Sequence, residues 1–224
     1  MTKVYLVRHG ENLANITKQF SYKKIDYGLT EKGVQQSIQT ADYFMNIKID
    51  AIYSSPLKRA IQTSSYIAEK KEIKTVILEN FREINVGDLE YALPNEENWN
   101  LYYTIIEDWY SGNKENKFPN GENYSELLSR FIEGFKVITN YSDGGTIILV
   151  GHGGIFTAGI IELCSITDKK EFGFRQNHNC SISEINIKNN NGILDFELIR
   201  WADFTHLSGS AANFINGLPE KKDT

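Results

Sequence analysis

The sequence predicts an α/β fold: a three-layer sandwich with a mostly parallel sheet, helices on both faces and a helical insertion over the candidate site. Three observations predict it. Short apolar runs alternate with longer segments of helical periodicity, as parallel βαβ connections require. Three of those runs end in polar residues flanked by glycine, serine or proline, as strands do when they deliver side chains to a sheet edge. The 224 residues are 41% hydrophobic with a formal net charge of −5, which is enough apolar material for a full core and too little charge for disorder.

The elements follow in order. Lys3–Arg8 (KVYLVR) is the first strand, apolar and ending in polar residues. Thr30 can cap a helix to about Ile47, with Val34, Ile38 and Ala41 at helical spacing. Asp50–Ser54 is the second strand; Ser55 as cap and Pro56 as first helical residue then start a helix to about Lys70. Thr75–Leu78 is the third strand. Thr146–Val150, after the turn Asp143-Gly144-Gly145, is the fourth, with a helix from about Gly154 to Cys164. Ser181–Lys188 and Ile193–Trp201 flank an Asn/Gly turn and read as a hairpin. Between the third and fourth strands, Phe81–Tyr141 holds helical segments near Asn95–Ser111 and Tyr124–Asn140, joined by the polar loop Gly112–Glu122. It is too small and too polar in its middle to own a core. The chain therefore reads as one domain, 1–224, with a helical cap at about 93–122.

Composition removes several classes of function. No apolar run approaches the ~18 residues of a membrane-spanning helix, and the opening MTKVYLVRHG is too short an apolar stretch for a signal peptide. Two cysteines, Cys164 and Cys180, form no disulfide framework or metal-ligand spacing, so a reducing cytoplasm is expected. Mild acidity, with no basic stripe, speaks against nucleic acid. Only six arginines occur, which gives weight to where each one falls.

In an open α/β sheet, ligands bind beyond the carboxyl ends of the strands. There the first strand delivers Arg8-His9-Gly10-Glu11, the second Ser54-Ser55-Pro56-Leu57-Lys58-Arg59, and the fourth Gly151-His152-Gly153-Gly154. Glu83 follows the third strand. Two histidines, two arginines and a carboxylate would converge. Guanidinium forks match phosphate oxygens in pairs, and glycines let backbone N–H groups approach an anion closely.

These residues resemble the phosphoglycerate mutase-like branch of the histidine phosphatase superfamily. The resemblance rests on Leu6-Val7-Arg8-His9-Gly10-Glu11 with Asn15, Leu29-Thr30-Glu31-Lys32-Gly33, Ser54–Ala60, Arg82-Glu83-Ile84 with Gly87, Gly151–Gly154 and Asn179-Cys180-Ser181. It implies a phosphoglycerate mutase-like fold and a phosphohistidine mechanism. His9 would be the nucleophile, its other ring nitrogen held by a backbone carbonyl. Arg8, Arg59, His152 and Asn15, with the Gly153 backbone, would hold the non-bridging phosphate oxygens. Glu83 would be the general acid and then the base, and for the acid role it must carry a proton in the complex. No metal or other cofactor is implied. The expected partner is a small phosphorylated substrate, and a homodimer is compatible with the chain.

Other residues have blander readings. His178 and His206 are expected at the surface or in structural roles, and Arg82 in a loop salt bridge. Glu11 is expected to order its loop, and Thr30–Gly33 to start a helix. Trp99, Tyr102, Tyr103, Trp109 and Tyr110 have the spacing of a packed face. Cys180 reads as a small buried residue. In Gly87-Asp88-Leu89-Glu90-Tyr91, tyrosine stands where many relatives have glycine, and its bulk is expected to narrow the entrance. The leading function is a phosphatase acting on a small phosphomonoester. Two alternatives stay open: a phosphoglycerate mutase, which returns the phosphoryl group to substrate, and a non-catalytic relative that binds a phosphorylated ligand. The mutase reading lacks support in the insertion, where Trp109-Tyr110-Ser111-Gly112 stands in place of a Trp-Arg-Arg-Ser run and no arginine falls between Arg82 and Arg130.

Overall fold

A computed structural model describes residues 1–141, 144–215 and 219. Its sheet contains β1 (Thr2–Arg8), β2 (Ala51–Ser54), β3 (Thr75–Ile77), β4 (Thr146–Gly151), β5 (Ile182–Asn190) and β6 (Ile193–Asp203), in the order β3-β2-β4-β1-β5-β6. The β1–β4, β2–β4 and β2–β3 pairs are parallel, and β5 and β6 extend the sheet antiparallel from β1. The β5–β6 turn sits at Asn191-Gly192, both at positive φ, which matches the right-handed twist of the flanking strands. The helices are α1 (Leu13–Thr17), α2 (Glu31–Phe44), α3 (Lys58–Lys71), α4 (Glu96–Tyr110), α5 (Tyr124–Tyr141), α6 (Gly153–Leu163) and α7 (Lys169–Gly173).

Alternation along β1 fixes the layers. Val4 and Leu6 join one apolar cluster with Trp109, Phe131 and Ile160, while Tyr5 and Val7 join another with Phe44, Ala60 and Ile67. Successive strand side chains point to opposite faces, so helices cover both. The insertion helices α4 and α5 share the first of these clusters with the sheet. Register then aligns the edge. Arg8 pairs with Gly151, and Ser54 with Val150, so the next residues out, His9, His152 and Ser55, emerge side by side.

Two helix boundaries differ from expectation. α2 stops at Phe44 rather than near Ile47, because the Lys71 ammonium takes the carbonyls of Phe44, Met45 and Ile47 (3.3, 3.1 and 2.7 Å) and ends the helix there. α3 starts at Lys58, so Pro56 is not its first residue and Ser55 is not its cap. Asp26 Oδ1 accepts the Lys58 N–H instead (2.9 Å), and Ser55 Oγ, which accepts the Leu57 N–H at 3.4 Å, faces the site. Asp143 of the anticipated turn lies outside the described residues. Among the described residues no helix is long and apolar enough to cross a membrane.

Candidate active site

His9 is buried, and its Nδ1 lies 2.7 Å from the Gly10 carbonyl oxygen. A carbonyl only accepts, so Nδ1 carries the proton and Nε2 presents a lone pair. The Arg59 Nε–H donates to that lone pair at 3.1 Å. Burial, and then the Arg59 and Arg8 charges, hold the His9 pKa well below the ordinary histidine value, so the ring is neutral at neutral pH.

The two guanidiniums come from different elements. Arg8, the last residue of β1, donates from Nη1 to the Asn177 carbonyl, while its Nε is buried without a partner. Arg59, in the first turn of α3, also donates from Nη1 to Ser21 Oγ (2.8 Å) and from Nη2 to the Ser21 carbonyl (2.9 Å). Burial lowers both arginine pKa values to about 10, and the Glu83 charge opposes that fall. Both remain cationic at neutral pH.

Asn15 is oriented by a local network. The Asn12 side chain accepts the Asn15 N–H, and Asn15 Oδ1 accepts from the Asn12 N–H and from Asn179 Nδ2 (3.1 Å each). With the oxygen doubly engaged, the amide N–H2 is the end left for a ligand. Asn179 Nδ2 also donates to the His9 carbonyl (3.0 Å), tying the Asn-Cys-Ser block to the His9 loop. Glu11 orders that loop from outside the site, accepting from Thr30 Oγ1 (2.8 Å) and pairing with Lys32 (3.0 Å).

Glu83 reaches the start of α6. Its carboxylate accepts the N–H groups of Gly154 (3.0 Å), Ile155 (2.8 Å) and its own neighbour Ile84 (2.9 Å). Gly154 makes this approach possible: a Cβ there would stand 2.7 Å from Glu83 Oε1. His152 is fully buried, its ring centroid 5.2 Å from that of His9 and its Nε2 2.6 Å from Ser55 Oγ. Burial and the nearby Arg59, His9 and Arg8 hold its pKa well below the ordinary value.

These groups surround one end of a cavity of about 440 Å³. Arg8, His9, Asn15, Arg59, Glu83 and Gly153 line it; His152 lies one layer behind, off the wall. Three buried polar atoms in this region, Arg8 Nε, Asn12 Nδ2 and His152 Nδ1, lack a protein partner. Such orphans are rare in proteins and fit a place for an oxygen-rich anion. Much of the remaining lining is aromatic: Phe20, Trp99, Tyr102, Tyr103, Tyr110 and Phe174, the last with its ring centroid 6.2 Å from that of Tyr103. The aromatic set is thus more than a packed face, although Trp109 keeps that role, stacked on Tyr124 at 5.3 Å.

One residue sits differently from its sequence reading, and three as expected. Tyr91 does not narrow the entrance; it is 67% exposed, off the cavity, with the Lys24 ammonium over its ring. Its place at the end of a 3₁₀ turn, Gly87–Tyr91, points it outward. His178 takes the structural role: it is buried, stacked on Phe204 and held by the Asn179 and Ala212 carbonyls. His206 Nε2 bonds Thr40 Oγ1 (3.0 Å). Arg82 pairs with Glu79 (2.8 Å), away from the cavity. The sequence reading does not reach Ser21, the Ser55 contact with His152, or the Phe174–Asn177 stretch that brings Arg175 to the wall. Ser55 and Glu90 both fall in family-like runs, Ser54–Ala60 and Gly87–Tyr91, which give the residues but not their contacts; Ser21 and the Phe174–Asn177 stretch carry no local signal.

An α/β sandwich that gathers a neutral histidine, two guanidiniums and a carboxylate at one sheet edge defines a class of site built for phosphate esters. The family model described as Histidine phosphatase superfamily (branch 1) matches residues 4–200, and the chain belongs to that superfamily. It is 27% identical to the "Probable phosphoglycerate mutase GpmB" of Erwinia tasmaniensis over 94% of this chain and 97% of that protein. It is 32% identical to the "Uncharacterized phosphatase PhoE" of Bacillus subtilis over 73% of this chain and 78% of that protein. The crystal structure of an Entamoeba histolytica phosphoserine phosphatase with 3-phosphoglyceric acid shares the fold (TM-score 0.75, 24% identity, 93% of this chain and 100% of that one).

Proposed function

We propose that this chain is a phosphatase that hydrolyses a small phosphomonoester through a phosphohistidine on His9. The observation that carries the reading is the His9 ring itself: neutral, its proton committed to Gly10, its Nε2 lone pair turned to Arg59 on the cavity wall. Incoming phosphorus takes the place of the Arg59 Nε–H at that nitrogen. The N–P bond forms in line as the ester P–O bond breaks, and the leaving oxygen takes a proton from Glu83. Water then gives its proton to Glu83 and attacks phosphorus, the N–P bond breaks and phosphate departs. Arg8, Arg59, the Asn15 amide and the Gly153 backbone meet the non-bridging oxygens, and His152 offers its unpaired Nδ1 from behind. The α4 segment acts as the cap that reads the rest of the substrate.

A second reading, phosphoglycerate mutase, has one observation in its favour besides a relative's name: Arg175 reaches the cavity wall, where a guanidinium could meet a carboxylate. That guanidinium is half-exposed and paired with Glu171 (2.5 Å), and its surroundings are aromatic. Both observations favour the phosphatase. The test is incubation with 3-phosphoglycerate and catalytic 2,3-bisphosphoglycerate beside a panel of phosphomonoesters. Release of inorganic phosphate from the panel without 3- to 2-phosphoglycerate exchange is expected; rapid exchange with little phosphate release reverses the assignment.

A further inference from the structure

Glu90 is buried (6% exposed) beyond the cavity, in the segment that also carries Glu83, and the phosphatase chemistry above gives it no task. Its Oε1 accepts four successive backbone N–H groups, those of Tyr22, Lys23, Lys24 and Ile25 (2.7, 2.6, 2.9 and 3.1 Å). Four donors converging on one carboxylate oxygen form a closed anion nest. Around that nest the other ties are side-chain contacts at the surface, among them the Lys24 ammonium over the Tyr91 ring and the Arg82 guanidinium over the Tyr22 ring. Lys23 and Lys24 are exposed, the Arg82 guanidinium holds the Tyr22 carbonyl (3.2 Å), and Asp26 caps α3.

The residue just before the nest is Ser21. Its hydroxyl donates its only proton to the Ile25 carbonyl inside the same turn, which turns the oxygen lone pairs toward Arg59. Ser21 Oγ and the Ser21 carbonyl then take both terminal nitrogens of Arg59, whose Nε–H lies on His9 Nε2. A continuous chain of hydrogen bonds runs from Glu90 through residues 21–25 to Arg59 and His9.

We infer that Glu90 is a positioning residue: by clamping the 22–25 turn it fixes Ser21, and through Ser21 it sets where the Arg59 guanidinium stands against His9. The inference rests on the reading of His9 as nucleophile and Arg59 as its phosphate-binding partner. Removing the clamp leaves four N–H groups unpaired, the turn relaxes, and Arg59 loses its fixed seat. A displacement of an ångström in such a group costs about 10²-fold in rate.

The consequence can be read without turnover. Cationic groups facing His9 are Arg59 from α3 and Arg8 from β1; neutral His152 lies at the end of β4, and the Glu83 carboxylate lines the same cavity. Arg59 disfavours the imidazolium, so freeing it lets His9 protonate at higher pH. In Glu90→Ala, the ¹⁵N imidazole titration of His9 is expected to move up by about 1 in pH, and the acid limb of kcat/KM for p-nitrophenyl phosphate to move with it. kcat/KM at neutral pH should fall about 10²-fold. Glu90→Gln, which keeps an oxygen at the nest, should recover most of that loss. Ser21→Ala, which removes one Arg59 acceptor and leaves the nest, should move the titration the same way by less. In an Arg59→Ala background, Glu90→Ala should cost little more.

An unmoved His9 titration in both Glu90→Ala and Ser21→Ala overturns the positioning role. So does a Glu90→Ala loss that multiplies in full with that of Arg59→Ala. Failure of the underlying mechanism looks different: the wild-type protein would form no phosphohistidine, while the His9 titration would still respond to Glu90.

Discussion

The two ends of the cavity are built by different means. The polar end is made by residues at and just beyond the ends of three adjacent strands, so a handful of register positions brings Arg8, His9, Ser55 and His152 together. The aromatic end is assembled from α4, the Phe174–Asn177 stretch and Phe214, segments far apart in sequence. The first is rigid because a sheet edge sets it, and the second takes its shape from tertiary packing. On the proposed function, that contrast separates chemistry from selectivity: the strand-end residues would serve any phosphomonoester, and the aromatic residues would change substrate preference without disturbing the reaction.

The largest effect expected from breaking this division lies at Glu83. Glu83→Gln should lower hydrolysis of alkyl phosphates by about 10²–10⁴-fold, while phosphoenzyme formation from p-nitrophenyl phosphate, whose leaving group needs little protonation, is spared. Equal losses on both substrates would make Glu83 a capping group for α6 alone. At the other end, Tyr102→Ala should cost bulky aryl phosphates about tenfold in kcat/KM and leave glycerol 2-phosphate and inhibition by inorganic phosphate unchanged. A uniform loss across substrates would show that the two ends are not separable.

The smallest effect concerns protons. Burial, the leading cause at each, depresses all four histidine pKa values below the ordinary 6.5, His206 to about 4. The unfolded chain therefore binds more protons than the folded one below pH 6.5, and stability is lost as pH falls from there toward the folded values. Each histidine held neutral contributes a slope of up to about 1.4 kcal/mol per pH unit. The urea midpoint should fall between pH 7 and pH 5. Inorganic phosphate, bound at the polar end, should offset part of that fall. A midpoint that holds steady or rises contradicts the burial of these rings in neutral form.

The same contrast explains what could be read from the sequence. Strand ends and their motifs are local, so the α/β order, both arginines, both histidines and Glu83 were legible from Arg8-His9-Gly10, Ser54–Arg59 and Gly151–Gly154. The helix face Trp99–Tyr110 was legible as apolar, but not which of its members would be left facing the cavity, because that depends on what packs behind them. Ser55 was misread because local rules favour Ser-Pro as a helix start, whereas Asp26, thirty-two residues before Lys58, supplies the cap. The contacts of Glu90, although it lies in the Gly87–Tyr91 run, and of Ser21 are not readable locally for a related reason. Their contacts join residues 65 to 68 positions apart, from Glu90 to the 22–25 turn, and then 38 apart, from Ser21 to Arg59, with no spacing rule to connect them.

The central claim is that His9 Nε2 takes the phosphoryl group, and rapid acid quenching during turnover with ³²P-labelled substrate tests it most directly. An acid-labile, base-stable phosphoenzyme on the Val4–Asn15 peptide, absent in His9→Ala, is the expected result. Label on a serine or an aspartate, or His9→Ala turning over at the wild-type rate, would contradict it.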